Sequence, residues 1–343
     1  MTRVLLTGGS GFIASHVLDL LLKRGYSVVT TVRSQDKADK IKASYQSNYD
    51  NGQLDFAIVQ DIAQLGAFDQ AVVSEPPFDV VVHTASPCHF NITDVKKDLL
   101  DPAMNGTVGI LKSVKAHAPS VKHVVYTSSF SAIMNPGKGD WPGHAFSEAD
   151  WNPITEEEAY KSPLNGYRGS KTFAERAAWE FMEKEKPNFT FATINPPVVV
   201  GPVIHSIDSL DKLNTSNQGV LKAASGKWKD VIQPTGVYLW VDVRDVAEAH
   251  IQAFEKPEAA NKRFFTTAGV YSNKEIAAII KKHFPELKDL ATESTPGGDY
   301  PESSRDALYT YNNKRTVDIL GLQYMELERS IVDTVKSFQG LGL

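Results

Sequence analysis

Two side chains near the middle of the chain have the spacing and chemistry of an acid–base pair. Lys171 follows Tyr167 by four residues, so on a helix both side chains lie on one face. A phenol has an unperturbed pKa near ~10, and a neighbouring ammonium group stabilises its phenolate form. Such a pair can pass a proton to or from a substrate. The structural alternative is a tyrosine packed on an amphipathic helix and followed by a solvated lysine.

A glycine-rich segment near the N-terminus has the pattern G-x-G-x-x-G/A. It lies where a predicted first strand turns into a predicted first helix, which is the context this pattern requires. Glycines permit the tight turn and a close approach of the main chain to a ligand, and the N–H groups at the start of the helix can bind a pyrophosphate. The segment therefore predicts a dinucleotide site, formed by Gly8, Gly9, Ser10, Gly11, Phe12 and Ile13, with Ala14 packing against the sheet.

The residue type at the end of the second predicted strand indicates which dinucleotide binds. NAD sites usually have an acidic residue there, for the ribose 2′-hydroxyl. This chain instead has Arg33, with Lys37 four residues later, and two cations suit the 2′-phosphate of NADP. Asp36 weakens that field slightly, and the alternative is that both cations are ordinary surface residues.

The end of the third predicted strand is the expected place for the adenine. Asp61 can accept a hydrogen bond from its exocyclic amine, and Ile62 can lie against the ring. The alternative for Asp61 is a helix cap.

The elements that must position these residues alternate between β-rich and helical patterns, which predicts βαβ units and a mostly parallel sheet. Central strand residues that are apolar on both faces indicate helices on each side. The predicted fold class is α/β, a doubly wound, mostly parallel Rossmann sheet with a smaller C-terminal lobe. Strands are predicted at residues 3–7, 27–33, 54–59, 79–84, 123–127 and 189–195. Helices are predicted at residues 12–24, 37–47, 95–117, 167–185, 213–225, 243–254, 273–283 and 326–338.

The pattern changes after Asn195, where two prolines open an irregular stretch. We therefore expect residues 1–195 to form the cofactor-binding domain, with some sheet elements returning later, and residues 196–343 to form mainly the substrate-binding lobe. A cleft between them is the expected substrate site.

Composition excludes several other classes of function. The 343 residues have a net charge of −5 and no basic block, which argues against binding to nucleic acid or anionic lipid. No run approaches the ~18 apolar residues of a membrane span. The single cysteine, Cys88, excludes an intrachain disulfide and a multi-cysteine metal site, and it fits the cytoplasm. No metal site is predicted, and His83 on a buried strand is expected to pack or to make one hydrogen bond.

The chain resembles the extended short-chain dehydrogenase/reductases over nearly its whole length. Three segments, at residues 83–87, 165–171 and 213–216, resemble the yeast NADPH-dependent methylglyoxal and aldehyde/ketone reductases, and plant dihydroflavonol and cinnamoyl-CoA reductases are more distant. The family resemblance as a whole rests on residues 7–14, 83–87, 126–129, 167–171, 195–196, 201–202 and 238–249.

This resemblance implies a catalytic triad of Ser129, Tyr167 and Lys171. The family's serine is the second of the two serines in a Thr-Ser-Ser run, which selects Ser129, with Ser128 as the alternative. Val199 and Ser216 are then expected to line the nicotinamide and pyrophosphate end of the cofactor.

Three further residues are expected at the substrate pocket. Cys88 and Val198 are smaller than the residues often found in relatives and would widen the pocket. Phe130 would form a wall, with core packing as its alternative.

The expected function is NADPH-dependent reduction of a small carbonyl compound, such as an aldehyde, an α-dicarbonyl like methylglyoxal, or a prochiral ketone. Two alternatives share the fold: a nucleotide-sugar epimerase or dehydratase, and a non-catalytic protein that senses dinucleotides. The cations at Arg33 and Lys37 disfavour the former, and the complete Ser129, Tyr167 and Lys171 set disfavours the latter. A monomer or homodimer is expected.

Overall fold

The computed structural model describes residues 1–86 and 92–343. The strands that bear on the fold are numbered in chain order: β1 (Arg3–Thr7), β2 (Ser27–Val32), β3 (Leu54–Ile58), β4 (Val80–His83), β5 (His123–Thr127), β6 (Ala145–Phe146), β7 (Thr190–Asn195), β8 (Val198–Val200), β9 (Leu239–Asp242), β10 (Lys262–Phe265), β11 (Gly269–Val270) and β12 (Thr310–Tyr311). The helices are α1 (Phe12–Lys23), α2 (Gln35–Ser44), α3 (Gln46–Asp50), α4 (Asp101–His117), α5 (Glu156–Ala159), α6 (Pro163–Glu185), α7 (Asn217–Ala224), α8 (Val243–Glu255), α9 (Asn273–His283) and α10 (Leu327–Gln339).

Seven parallel strands form the central sheet, in the order β10-β7-β5-β4-β1-β2-β3. The chain runs outward from β1 to β3 and then returns to place β4 on the other side of β1. This reversal leaves a crevice at the carboxyl ends of β1 and β4, where open α/β sheets bind their ligands. The predicted fold class, a doubly wound Rossmann sheet, is confirmed.

Successive residues of a strand point to opposite faces of the sheet, and both faces of this sheet are covered by apolar cores. On β1, Val4 and Leu6 pack into one apolar core that also contains residues of α1 and α8, whereas Leu5 packs into a second core with residues of α4 and α6. All three side chains are completely buried. This explains why the strand is apolar at every position instead of alternating.

A smaller sheet and its helices build the second lobe. Strands β11, β9 and β8 form a three-stranded sheet, and α7, α9 and α10 share an apolar core around Trp228 and Phe338. The chain leaves the large sheet at the end of β7 and later returns to it, since α8 packs against α1 and β10 pairs with β7. The division at residue 195 stays a prediction, with β10 and α8 as the returning elements.

Most element bounds agree with those expected, but the helix predicted at 213–225 is α7, which begins only at Asn217, and the helix predicted at 37–47 is divided into α2 and α3. The strands β6, β8, β9, β10, β11 and β12 were not predicted. β1, β5 and α9 begin and end at the predicted residues. The predicted helix at 95–117 consists of a single wide turn, Lys96–Leu100, followed by α4. Within residues 1–86 and 92–343, no helix is long and apolar enough to cross a membrane.

Candidate active site

The glycine-rich turn between β1 and α1 is shaped by close main-chain contacts. Gly8 has a φ of +77°, and a Cβ atom there would lie 3.0 Å from the Ala85 Cα atom. A Cβ atom on Gly9 would lie 2.1 Å from the Thr30 hydroxyl oxygen. Gly11 caps α1 with no side-chain hydrogen bond, so the N–H groups of the first helical turn are left for a ligand. Only glycine fits the first two positions, and the cradle suits a pyrophosphate.

A cavity of about 290 Å³ lies along this turn, at the carboxyl ends of β1, β2 and β4. Arg33 and Lys37 both line it, so the two predicted cations face the same space. The carboxylate of Asp36 instead lies 3.6 Å from the Lys40 ammonium group. The other residues around this cofactor cavity are Gly8, Ser10, Gly11, Thr31, Val32, Ser34, Val59, Ile62, Thr84, Ala85 and Ser86.

The remaining predicted cofactor residues take different positions. Ile62 lines the cofactor cavity, whereas Asp61 is exposed and its carboxylate accepts a hydrogen bond from the Ala63 N–H at 2.9 Å. Asp61 thus closes a local turn and not the start of a helix, so the helix cap that was its alternative is not what the structure shows. Phe12 packs into the core and Ile13 packs partly against it, so these two residues can offer a pyrophosphate only their main-chain N–H groups.

Helix α6 carries Tyr167 and Lys171 on one face, as the spacing predicts. Ser162 caps the helix by accepting a hydrogen bond from the Asn165 N–H at 3.2 Å. Lys171 is buried, and its ammonium group donates to the Ser86 hydroxyl at 3.0 Å. Because Ser86 lines the cofactor cavity, the lysine reaches the edge of that cavity, and Tyr167 lies one turn before it.

The two serines after β5 have different surroundings. The Ser128 hydroxyl donates to the buried Glu175 carboxylate at 2.5 Å, and Glu175 is also bound by Asn195 and by Arg263, at 2.7 and 2.6 Å. The Ser129 hydroxyl oxygen accepts from the Ser131 N–H at 3.0 Å. Since a hydroxyl has one proton to donate as well as its acceptor sites, Ser129 retains its proton for another partner.

A second cavity, of about 190 Å³, contains Ser129 and Tyr167 in its wall. We call it the substrate cavity. Its remaining described lining is mostly apolar, with Arg168 as its charged side chain: Phe130, Ser131, Met134, Leu164, Arg168, Pro197, Val198, Thr215, Ser216 and Val237.

The substrate cavity contains some of the expected residues and not others. Val198 and Ser216 line it. The Val199 side chain is buried in the core beside α1 and α8, so its predicted cofactor contact could come only from its main chain. Phe130 lines the cavity and also stacks on Phe265, with ring centroids 5.2 Å apart, which combines the wall and the core packing that were proposed as alternatives. Cys88 lies outside the described residues.

His83 is buried beneath the site and is neutral. The Thr7 hydroxyl accepts from the N–H groups of Thr84 and Ala85, so it donates its own proton to His83 Nδ1 at 2.8 Å. Burial, together with the nearby Lys171 ammonium group, lowers the pKa of His83 to about 3. A packing role with one hydrogen bond, as predicted, describes what the structure shows.

Several residues of both cavities were not predicted as site residues, although they lie in the segments 83–87 and 165–171 that contribute to the family resemblance. Thr84, Ala85 and Ser86 follow β4 and face the cofactor cavity because the chain reverses there. Arg168 follows Tyr167 directly, at a position that the Tyr–Lys spacing does not consider. Among the residues that the structure describes, no three His, Cys, Asp or Glu side chains form a group that could hold a metal ion.

Comparison with known proteins identifies the class to which this fold and site belong. The family model described as "NAD dependent epimerase/dehydratase family" matches residues 4–266. The chain belongs to this family, which is that of the extended short-chain dehydrogenase/reductases, as the motifs indicated.

Its similar relatives include named reductases. It is 47% identical over 338 residues to the ketoreductase azaE of Aspergillus niger, covering 98% of this chain and 97% of that protein. It is 37% identical to the NADPH-dependent methylglyoxal reductase GRE2 of Saccharomyces cerevisiae, covering 98% and 99%. The crystal structure of yeast methylglyoxal/isovaleraldehyde reductase Gre2 complexed with NADPH superimposes with a TM-score of 0.88, at 36% identity over 99% of both chains. The expectation of an oxidoreductase similar to the yeast reductases is therefore confirmed.

Proposed function

We propose that this protein is an NADPH-dependent carbonyl reductase that converts aldehydes, α-dicarbonyls such as methylglyoxal, and prochiral ketones into alcohols. The observation that supports this most strongly is a pair of cavities linked through α6, where Tyr167 lines one cavity and Lys171 contacts Ser86 in the wall of the other. One has a glycine cradle with two cations, and the other has Ser129 and Tyr167 in an otherwise mostly apolar wall. The names of its relatives, a ketoreductase and an NADPH-dependent methylglyoxal reductase, agree with both halves of this assignment.

The cofactor cavity fits NADPH by its residues. The first turn of α1, capped by Gly11, would bind the pyrophosphate, and Arg33 and Lys37 would bind the 2′-phosphate. Ile62 would lie against the adenine. When bound, NADPH supplies the hydride that reduces the carbonyl carbon.

Within the substrate cavity, the chain's own side chains would stabilise charge and move one proton. Ser129 would donate a hydrogen bond to the carbonyl oxygen, which becomes negative during reduction. Tyr167 would give that oxygen its phenolic proton. Lys171 would stabilise the resulting phenolate from one helical turn away and bind the cofactor's ribose at the edge of its cavity. The mostly apolar wall would limit the access of water to the reacting carbon.

The proposal is tested by following NADPH oxidation with small aldehydes, α-dicarbonyls and prochiral ketones, with NADH in parallel. We expect turnover of several of these carbonyls, a clear preference for NADPH and one major enantiomer of each chiral alcohol. Methylglyoxal is the first substrate to test. Inactivity toward dicarbonyls together with good turnover of ketones would exclude methylglyoxal as a substrate. A strong preference for NADH would contradict the roles of Arg33 and Lys37 and favour the epimerase or dehydratase alternative. We further propose a cytoplasmic monomer or homodimer.

A further inference from the structure

A positive charge lies in the wall of the substrate cavity, next to the proposed proton donor. Arg168 follows Tyr167 on α6, and it is the charged side chain among the described residues that line this cavity. It is half-buried. The proposed reduction gives it no role, since Ser129 and Tyr167 account for the carbonyl oxygen.

Hydrogen bonds restrain this guanidinium group at the cavity. Asn165 Oδ1 accepts from one of its N–H groups at 3.2 Å. The orientation of that amide is set in turn, because Asn165 Nδ2 donates to the Glu158 carbonyl oxygen at 3.2 Å. A guanidinium group has five N–H donors, so a single neutral acceptor satisfies a small part of its capacity.

No carboxylate within the described residues compensates this charge. Burial lowers the pKa of the Arg168 guanidinium group, and the one titratable group that acts in the opposite direction is the Tyr309 phenol. Burial also raises the pKa of Tyr309 to about 12, so this phenol is neutral at physiological pH. Arg244, another half-buried arginine, does have acidic partners, since it lies 2.9 Å from Asp242 and 2.7 Å from Asp333. A half-buried cation without a counter-ion is unfavourable unless a ligand supplies one.

We infer that the substrate carries a carboxylate, which Arg168 binds while the reacting carbonyl lies at Ser129 and Tyr167. The substrate class is therefore the oxo acids, in which a ketone or aldehyde and a carboxylate are separated by a short apolar chain. This inference rests on the proposed reductase function and specifies its substrate. A planar guanidinium group can bind a carboxylate through two parallel hydrogen bonds, and the apolar wall formed by Met134, Val198 and Val237 would contact the intervening carbons.

Matched pairs of substrates that differ in charge test this inference. The assay compares kcat/KM with NADPH for 4-oxopentanoate and its methyl ester, and then for 3-oxobutanoate and its methyl ester. We expect the wild type to prefer at least one acid over its ester by about tenfold or more. Arg168→Met should lower kcat/KM for that acid by about 10- to 100-fold, mainly through KM, while the ester changes by less than about threefold. Arg168→Lys keeps the charge and loses the planar fork, so its kcat/KM for the acid should lie between those of the wild type and Arg168→Met.

Two controls separate a binding role from a structural one. Lys161→Met removes an exposed positive charge seven residues earlier, and it should leave the acid-to-ester ratio unchanged. Pentanoate, which has no carbonyl to reduce, should bind to the wild type in the presence of NADP+ in a calorimetric titration, and at least about tenfold more weakly to Arg168→Met.

The possible failures are distinguishable. If the wild type reduces the esters and reduces no acid better, or if Arg168→Met lowers both members of each pair equally, the oxo-acid assignment is wrong and the reductase function stands. If neither acids, esters nor the neutral carbonyl panel are reduced, the proposed function itself fails.

Discussion

The Ser128 hydroxyl donates a 2.5 Å hydrogen bond to the carboxylate of Glu175, a completely buried residue of α6. Asn195 and Arg263 bind the same carboxylate from β7 and β10. Asn195 also donates to the Ser129 carbonyl oxygen at 3.4 Å. From this network we predict a structural role for Ser128, and the hydrogen bond from Asn195 supports the main chain at the next residue, Ser129.

The two adjacent serines should therefore respond differently to the same substitution. Ser129→Ala should lower kcat for a good carbonyl substrate by about 10²- to 10³-fold, because it removes the donor to the developing oxyanion, with little change in Tm. Ser128→Ala should destabilise the fold by about 1–3 kcal/mol, because it removes a donor to a buried carboxylate, while kcat falls less than about tenfold. Steady-state kinetics and urea denaturation measure both. The reverse pattern would assign the catalytic role to Ser128.

Cofactor preference should depend on two side chains of the cofactor cavity. Arg33→Ala and Lys37→Ala should each weaken NADPH binding by about tenfold, because each removes a charge-assisted contact to the 2′-phosphate. Binding of NADH, which lacks that phosphate, should change less than about twofold. Lys42→Ala is a matched control. Lys42 lies on α2, as Lys37 does, but its ammonium group lies 3.7 Å from the centre of the Tyr49 ring. Fluorescence titration measures both affinities. Equal losses of affinity for NADPH and NADH would show that the two cations do not bind the 2′-phosphate.

Acid should destabilise the protein partly through His83, whose pKa is lowered to about 3 in the folded state. The unfolded chain takes up this proton below its ordinary pKa of ~6.5, so the free energy of unfolding falls as the pH drops from there toward 3. His83→Asn removes the titrating group and keeps a polar partner for Thr7. The loss of stability between pH 7 and 5.5 should shrink by about 1 kcal/mol relative to the wild type. Urea denaturation at both pH values measures it, and an unchanged loss would mean that His83 is not held neutral in the fold.

The sequence alone predicts the fold well, because the strands of the large sheet are short apolar runs separated by amphipathic helices with clear ends. β1 and β5 are placed to the residue. β10 was not placed because Lys262–Phe265 is isolated from the other strands of its sheet by the second lobe. Its pairing with β7 is decided by tertiary contacts that no local pattern encodes.

The candidate site is predicted less completely, for reasons that differ between residues. The glycine turn and the Tyr167–Lys171 spacing are local patterns, and the structure gives them the expected surroundings. The contrast between Ser128 and Ser129 depends on Glu175, which lies 47 residues after Ser128. Arg168 was missed because no local pattern shows that its guanidinium group faces no carboxylate among the described residues, which depends on the packing of the chain. The catalytic roles stay predictions until they are measured.

Replacing Tyr167 with Phe tests the central claim most directly. The substitution removes one hydroxyl group and leaves the helix, Lys171 and both cavities in place. The measurement is NADPH-dependent turnover of the best carbonyl substrate, with NADPH binding titrated on the same preparation. We predict a fall in kcat of at least about 100-fold, with the dissociation constant for NADPH unchanged within about threefold. Turnover within about tenfold of the wild type, a loss of at most ~1.4 kcal/mol, with cofactor binding intact, would contradict the assignment of Tyr167 as the proton donor.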